Sequence, residues 1–393
     1  MEKAFDLGMQ PISNRYLSSP VEQSVLFPLI LLFCPTCALP QIGAPIPPAE
    51  LKPRFDWITY REPERHLDRM VDEALAKSGL STTARIGGIS YKDTSTLERL
   101  RRKGFADVWQ IAPIADLGAT SDHAEMETVQ QLLNETRATA IVQQYGTSDL
   151  IIARHVIEHT HHTHAFMRAI GRLLKPGGTV LLEAPDFGRC RDLLDYTSIW
   201  EEHILYFNLQ TLAALVASLG FDLIHAVEYP YPLENALAVI AQKTTTQPSF
   251  RPASALIGNE KRRWVRFVQA FEKTRQHLRN QLEKIRASCG HIVLFGAGHT
   301  SCTFLNLFQV ADLIDFVADN DQCKIGLFMP GSRLPILPSD ELLKRKIACC
   351  LLCLRPESED KVRQSHQAFT QAGGVFISVF PENSKSIFGE SAL

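Results

Sequence analysis

Between residues 80 and 243 the sequence alternates short apolar runs with amphipathic segments, and this alternation restricts the fold more than any other feature. The apolar runs have the length of buried strands and lie at residues 83–89, 108–111, 150–153 and 179–184. The amphipathic segments have helical spacing and lie at residues 96–103, 128–134 and 164–174. Such alternation predicts an α/β domain in which helices cover both faces of a parallel sheet.

A second, smaller unit of the same kind follows. An apolar run at residues 291–295 ends in the glycines Gly296 and Gly298, and a helical segment comes next. Further strand-like runs lie at residues 313–318, 347–354 and 375–379. Before this unit, residues 258–287 form the longest amphipathic pattern, which predicts a connector helix with a solvated basic face.

The N-terminal region differs from both units because prolines interrupt it repeatedly. Proline leaves little room for long helices, so a small module with short strands, such as one at 26–33, is predicted. A helix at 66–78 follows. We therefore divide the chain into a module at 1–75, a central domain at 76–245 and a connector with a C-terminal domain at 246–393.

Composition excludes several classes of protein. The 393 residues carry 41 basic and 43 acidic side chains, which is not the concentrated positive charge of a nucleic-acid-binding protein. The nine cysteines are odd in number and unevenly placed, which favours a reducing compartment over a disulfide framework. The longest apolar run, 26–33, is far shorter than the ~20 residues that cross a bilayer. A soluble cytoplasmic protein is predicted.

Cys34 and Cys37 form a C-x-x-C pair, which can provide two corners of a tetrahedral zinc site. A structural zinc needs four ligands, and no second C-x-x-C lies nearby. His66 is poorly spaced as a third ligand. Two buried free thiols are therefore favoured over a zinc site.

The central domain carries two motifs with chemical meaning. Gly87 and Gly88 end the first strand, where an α/β sheet admits a cofactor, and Gln110 occupies the place of the acidic residue that would hold a ribose. A histidine-rich segment follows the strand at 150–153 and contains His155, His159, His161, His162 and His164. This cluster could hold a metal, but partial solvation of the rings is favoured.

Glu202 and His203 lie beyond the central strands. A carboxylate beside an imidazole can shift the pKa of the ring so that it acts as a general base near neutral pH. A surface pair without a role is the alternative.

Several segments together resemble the S-adenosylmethionine-dependent sugar C-methyltransferases of deoxysugar biosynthesis. The N-terminal DLGMQPISN at 6–14 resembles the family's L-G-x-Q-P-L-x-N opening, and Cys34-Pro-Thr-Cys37 resembles its zinc module. EAPD at 183–186 and WEEH at 200–203 resemble the E-x-P-D and Y-x-E-H segments. GAG at 296–298, ADN at 318–320 and MPGSRLPI at 329–336 resemble its C-terminal domain.

The resemblance implies a Rossmann-like class I methyltransferase domain between a small N-terminal module and a smaller Rossmann-like α/β domain. It implies methyl transfer from S-adenosylmethionine to a carbon next to a ketone in a nucleotide-linked sugar. Nucleic acid and membrane are not predicted as partners, because of the charge balance and the short apolar runs. The resemblance implies roles for three sets of residues. The catalytic set is His203 as the base, Glu202, which orients it, and Tyr60, which stabilises the enolate. The residues of the cofactor-binding set are Gly87, Gly88, Gln110, Arg154 and His155. The residues of the substrate-binding set are Gly296, Gly298 and Asn306.

Two other functions remain open. The first is O- or N-methylation of another small acceptor on the same scaffold. The second is a non-catalytic binding protein, which is favoured by Arg85 in the family's acidic position and by the segment at 90–93 in place of its tighter loop.

Overall fold

The computed structural model describes residues 2–55, 57–58, 62–121, 126–244, 253–383 and 385–388. The N-terminal region forms an antiparallel sheet of order β1-β2-β3, with β1 (Glu2–Pro11), β2 (Leu26–Phe33) and β3 (Pro40–Ile42). The predicted strand at 26–33 is confirmed, and its buried positions alternate from Leu29 to Phe33 because one face is covered. Two helices follow, α1 (Pro48–Leu51) and α2 (Leu67–Ser78).

The central domain contains a six-stranded sheet of order β5-β4-β6-β7-β9-β8. Its strands are β4 (Ile86–Gly88), β5 (Val108–Gln110), β6 (Ser148–Arg154), β7 (Leu174–Pro185), β8 (Phe221–Tyr229) and β9 (Ala236–Lys243). Its helices are α3 (Thr94–Arg102), α4 (Met126–Leu132), α5 (Glu135–Tyr145), α6 (Thr163–Leu173), α7 (Phe187–Asp192) and α8 (Leu209–Ser218). Strands β4 to β7 pair in parallel, whereas β9 runs antiparallel to both β7 and β8.

Helices cover both faces of this sheet, as predicted. Leu67 of α2 and Leu97 of α3 pack against Ile152 on one face. Phe166 of α6 packs against Ile151 on the other face. Neighbouring residues of β6 thus belong to opposite cores, which explains why the strand is apolar without alternation.

The long helix α9 (Ser254–Cys289) leads into an all-parallel sheet of order β12-β11-β10-β13-β14. The strands are β10 (Ile292–Phe295), β11 (Phe316–Asp319), β12 (Ile336–Pro338), β13 (Cys349–Leu352) and β14 (Val375–Ser378). The helices are α10 (His299–Leu307), α11 (Glu341–Lys344), α12 (Pro356–Ser365) and α13 (Gln367–Gln371). The predicted second α/β unit is confirmed.

The N-terminal sheet and the C-terminal domain share one apolar core through α9. Phe5 of β1 contacts Phe267 and Phe271 of α9 with ring centroids 5.8 Å and 5.2 Å apart. Leu278 and Leu282 continue the same buried face toward the C-terminal sheet. The helix predicted as a connector is therefore a central element of the core.

Three details differ from the sequence predictions. The strand predicted at 179–184 begins at Leu174, because Leu174 already pairs with Ser148. Helix α5 was not predicted, since few of its residues are buried apolar ones. The central sheet is mixed rather than parallel throughout, because β9 turns back between β7 and β8.

Candidate active site

A pocket opens at the carboxyl ends of β6 and β7, the edge where parallel α/β sheets bind ligands. All three regions of the chain contribute to its lining. Asn14 and Leu51 come from the N-terminal region, His155 and Pro185 follow the strands, and Arg355 comes from the C-terminal domain. The pocket is thus formed only when the three regions are packed together.

The chain bends sharply where β6 enters this pocket. His155 has φ of 48°, a left-handed conformation that non-glycine residues rarely adopt and that is often found at functional sites. A 3-10 turn follows at Ile157–His159. The backbone oxygen of Glu158 accepts hydrogen bonds from the backbone nitrogens of Ile204 (2.7 Å) and Leu205 (3.0 Å). These bonds fix the segment that carries the predicted catalytic pair against the turn.

The structure brings His203 next to His159. Their ring centroids are 4.8 Å apart and the ring planes are nearly perpendicular, at 85°. On its other side His203 stacks on Trp200 with centroids 5.1 Å apart. Glu202, His203 and His159 all line the pocket.

Burial has opposite effects on the two members of the predicted pair. Burial and the charge of Glu127 raise the pKa of the Glu202 carboxyl well above its usual range. Burial and the neighbouring His159 and His299 hold the pKa of the His203 ring well below its usual range. Within the part of the chain that the structure describes, no hydrogen bond joins the two side chains, so the predicted orientation of His203 by Glu202 lacks that contact.

Glu127 is a site residue that the sequence did not indicate. Its Oε1 lies 2.9 Å from Nδ1 of His159, and both side chains are buried. Burial alone would lower the pKa of the His159 ring, but Glu127 raises it to about 9. Glu127 lies in the first turn of α4, 32 residues before His159, and no spacing pattern links the two.

Side chains of the protein itself fill the space around the loop that was predicted to bind the cofactor. A Cβ added at Gly87 would lie 2.6 Å from Trp109 and 2.8 Å from Ile151, and one at Gly88 would lie 2.8 Å from Leu97. The carboxylate of Asp93 accepts hydrogen bonds from the backbone nitrogens of Ile89 (2.8 Å) and Ser90 (2.9 Å). It also accepts one from the backbone nitrogen of Arg154 (2.9 Å). The amide donors of this loop are therefore bonded within the protein.

The other predicted cofactor residues also contact the protein itself. The Gln110 side-chain nitrogen donates to the backbone oxygen of Ser90 and to Thr94. Arg154 is 2% exposed and donates through Nη1 to the backbone oxygen of Lys92 (2.6 Å). Of the five residues, His155 alone is among the described residues that line the pocket.

Glu183, at the end of β7, connects several of these groups. Its carboxylate accepts from Nε of Arg154 and lies 3.0 Å from Nε2 of His66 and 3.1 Å from Nε2 of His155. Burial would raise the pKa of Glu183, but Arg154 and His155 hold it well below the usual range. His66 thus pairs with Glu183 and lies in a different part of the structure from Cys34 and Cys37.

The three residues predicted to bind substrate have different surroundings. A Cβ at Gly296 would lie 2.4 Å from Leu354, so this glycine serves close packing, whereas Gly298 faces open space. Nδ2 of Asn306 donates to the backbone oxygens of Cys302 (2.8 Å) and Pro330 (3.1 Å), which is a structural arrangement. Among the described residues, the C-terminal domain reaches the pocket through other side chains, such as Arg355.

Two further candidates remain predictions. Cys34 and Cys37 lie in the turn between β2 and β3 as free thiols, and no third histidine, cysteine or carboxylate joins them among the described residues. Hydrogen bonds from the turn lower the pKa of Cys34 although burial opposes them. Tyr60 lies outside the described residues.

The residue before the predicted pair joins the three regions. Glu201 is buried and accepts hydrogen bonds from the backbone nitrogen of Ser13 (2.6 Å) and from the Ser13 hydroxyl (3.1 Å). Its Oε2 also lies 2.9 Å from Nε2 of His299. Burial would raise the pKa of Glu201, but His299 and Ser13 keep it below the usual range.

Three family models match successive parts of the chain. Residues 1–51 match the model described as "Putative zinc binding domain", residues 93–226 match a methyltransferase domain, and residues 251–381 match a C-methyltransferase C-terminal domain. Their order is the one that the sequence resemblance implies. Within the described residues, no helix has the length and apolar character to cross a membrane.

A curated relative matches over nearly the full chain. The C-methyltransferase NovU of Streptomyces niveus is 23% identical over 401 residues, which cover 98% of this chain and 94% of the relative. Among solved structures, a methyltransferase from Aquifex aeolicus is 14% identical and covers 46% of this chain and 93% of that one, with a TM-score of 0.31. The 1,6-didemethyltoxoflavin-N1-methyltransferase of Burkholderia thailandensis is 14% identical and covers 46% of this chain and 79% of that one, with a TM-score of 0.30. The three domain matches, in this order, and the full-length relative make the chain similar to C-methyltransferases over nearly its whole length.

Proposed function

We propose that this protein methylates a small polar acceptor at a carbon next to a carbonyl group, and that the acceptor binds in the pocket between the three regions. The observation that carries the proposal is the position of Glu202 and His203 on the pocket wall, beside the buried His159 and Glu127. Carbon becomes a nucleophile only after it loses a proton, so a C-methyltransferase needs a proton acceptor at such a place.

The proposed roles follow from the side chains that face the acceptor. A ring nitrogen of His203 takes the proton from the carbon next to the carbonyl, with Glu202 beside it in the pocket wall. The electrons of that C–H bond move toward the carbonyl oxygen, and the resulting enolate needs positive or hydrogen-bonding groups nearby. His159, held by Glu127, is placed to stabilise this charge. The planes of His159 and His203 are close enough for both rings to contact one bound molecule.

A nucleotide-linked keto-deoxysugar is the acceptor that we propose from the resemblance. We assign the phosphate groups of this acceptor to Lys92 and Arg355, which come from the central and the C-terminal domain and lie in a pocket wall that also carries several carboxylates. Both are paired with Glu62, at 2.9 Å and 3.5 Å. An anionic ligand that displaces this carboxylate would be held from two domains at once.

When bound, S-adenosylmethionine supplies the electrophilic methyl group. The loop that the resemblance assigns to it does not fit that ligand well. Asp93 already accepts the hydrogen bonds of three backbone amides, and Gln110 is bonded to Ser90 and Thr94. The roles proposed for the pocket residues therefore concern proton transfer alone.

The proton transfer can be tested without any cofactor. Incorporation of deuterium from solvent into a nucleotide-linked keto-deoxysugar would be followed by mass spectrometry. Loss of a positioned general base lowers the rate about 10²- to 10⁴-fold, which we expect for the double variant Glu202→Gln/His203→Ala. His164→Ala, an exposed histidine on α6, is the matched control and should exchange at the wild-type rate. Equal exchange by the double variant and wild type would contradict the proposal.

The internal hydrogen bonds of the loop that was predicted to bind the cofactor favour a second candidate. This candidate is a binding protein that retains the fold but does not transfer a methyl group. Titration calorimetry with S-adenosylhomocysteine distinguishes the two. Binding with defined stoichiometry supports the enzyme, whereas binding of the nucleotide-sugar without binding of S-adenosylhomocysteine supports the second candidate.

A further inference from the structure

His299 is the first residue of helix α10 and lies directly behind the pocket wall. Its side chain is buried, and it is not among the described residues that line the pocket, although its neighbour Thr300 is. Both nitrogens of the ring have partners. Nε2 lies 2.9 Å from Oε2 of Glu201, and Nδ1 lies 3.3 Å from Oγ1 of Thr303. The ring is therefore held in one orientation by groups at two of its atoms.

One face of the His299 ring contacts Trp200. The two rings are stacked, with centroids 3.9 Å apart and planes at 23°. Trp200 also stacks with His203, with centroids 5.1 Å apart and planes at 26°. His299 and His203 thus stack with the same indole, although one belongs to the C-terminal domain and the other to the central domain.

The residues that His299 contacts are the first two of a tight turn. The backbone nitrogen of His203 donates to the backbone oxygen of Trp200 (3.1 Å), which closes the turn of residues 200–203. The hydroxyl of Tyr206 donates to the same oxygen (2.7 Å). A displacement of Trp200 would therefore displace His203, since the hydrogen bond between them closes the turn.

Several titratable groups lie around the His203 ring. They are His155, Glu158 and His159 after β6, Lys92 before α3, Glu127 on α4, His299 on α10, and Glu201, Glu202 and Tyr206 on the segment of His203 itself. Burial is the main reason that the pKa of the His203 ring lies well below its usual value, and the charges of His159 and His299 act in the same direction. Loss of His299 would remove a positive charge and leave the Glu201 carboxylate without its partner, and both changes raise the pKa of His203.

We propose that His299 is a positioning residue for the proton transfer: it holds Trp200 and Glu201, and through them it sets the place of His203 on the pocket wall. This inference rests on the proposed function, in which His203 takes the proton from the acceptor. It adds a residue of the C-terminal domain to a proton transfer whose base belongs to the central domain. A displacement of about 1 Å can cost about 10²-fold in rate, so a side chain outside the pocket can still control the reaction.

The variant His299→Gln tests the proposal, because the amide lacks the aromatic face and the charge but can still donate a hydrogen bond to Glu201. Deuterium exchange into a nucleotide-linked keto-deoxysugar would be measured across a range of pH. We expect kcat to fall about 10- to 100-fold, with KM nearly unchanged because His299 is outside the pocket. The acid limb of the pH profile, which reports the pKa of the base, should move to higher pH.

His291→Gln is the matched control. His291 belongs to the same domain and also faces a carboxylate, with Nδ1 3.2 Å from Oδ1 of Asp315, but its side chain is exposed. This variant should exchange deuterium like wild type. Equal kcat values and equal acid limbs for the two variants would overturn the inference. A fall in kcat that only matches a loss of folded His299→Gln protein, with the acid limb in place, would also overturn it.

A direct titration of His203 separates this inference from the proposed function. The ring would be followed by NMR in protein with carbon-13-labelled histidine, and its signal identified by comparison with His203→Gln. A pKa of His203 that rises in His299→Gln but not in His291→Gln supports the contact even if wild type exchanges no deuterium, a result that would overturn the proposed function alone. Exchange by wild type, together with an unchanged pKa and kcat in His299→Gln, would overturn this inference alone.

A milder variant covers the case in which His299→Gln does not fold. Thr303→Val removes the hydroxyl near Nδ1 of His299 and keeps the shape of the side chain. We expect a smaller fall in kcat in the same direction, because the ring loses one of its two polar partners. A wild-type kcat for Thr303→Val would then overturn the inference.

Discussion

Oε2 of Glu201 lies 2.9 Å from Nε2 of His299, and this contact joins the central domain to the first helix of the C-terminal domain. The same carboxylate receives the backbone nitrogen of Ser13 from the N-terminal region. The ring of His299 also stacks on Trp200, with centroids 3.9 Å apart. The residues next to the proposed catalytic pair thus hold the three regions around the pocket.

We expect Glu201→Gln to destabilise the protein by about 1–3 kcal/mol, because hydrogen bonds to a buried charged group contribute on this scale. Thermal denaturation would measure the loss. Glu98→Gln, at an exposed position of α3, is the matched control and should leave the midpoint unchanged. A midpoint for Glu201→Gln equal to that of the control would show that the contact contributes no stability.

Gly87→Ala should reduce stability by about 1–3 kcal/mol, because the added methyl group meets Trp109 and Ile151 in a packed core. Gly298→Ala is the control, since a Cβ there meets nothing within 4 Å. Chemical denaturation of both variants checks the expectation. If Gly87→Ala is as stable as Gly298→Ala, the side chains around β4 adapt more easily than their distances indicate.

The Glu183 carboxylate should give the protein a stability that depends on pH. Its folded pKa lies well below the usual value, so its contribution is complete above about pH 4.5 and is lost as the pH falls through the folded pKa. Glu183→Gln leaves Arg154 buried without its carboxylate and should cost about 3–5 kcal/mol at pH 7. Urea denaturation at pH 7 and at lower pH should show that the deficit of the variant shrinks on acidification. A deficit that stays constant with pH would exclude this carboxylate as its source.

The cysteine pair should hold no zinc. No third ligand accompanies Cys34 and Cys37 among the described residues. Elemental analysis of the purified protein and of the Cys34→Ser/Cys37→Ser variant should therefore give the same zinc content. A stoichiometric loss of zinc in the variant would mean that further ligands complete the site.

The sequence predicted those features that depend on local pattern. The apolar run of β6 and the glycine-closed strand β10 are recognisable because strand length and burial follow from neighbouring residues. Helix α5 was missed because its buried residues are few, with Ala138 and Ile141 the buried apolar ones. Its cap, Asn134, is a weak signal by itself.

The chemistry of the pocket was only partly predictable. Glu202 and His203 were identified because they are neighbouring residues of one sequence motif. Glu127 and Glu158 were not, because their importance arises from contacts between segments that are separate in sequence. The glycines of β4 were interpreted as space for a ligand, whereas the side chains that fill this space, such as Trp109, come from the next strand.

The insertion of Phe5 into the aromatic face of α9 has a consequence for how this protein can evolve. The three family matches suggest parts that recombine freely, yet the first strand and the long helix bury one common surface. An N-terminal region taken from a relative would have to bring an aromatic ring of matching shape to Phe267 and Phe271. Exchange of domains within the family is therefore constrained by this aromatic contact before any property of the active site is considered.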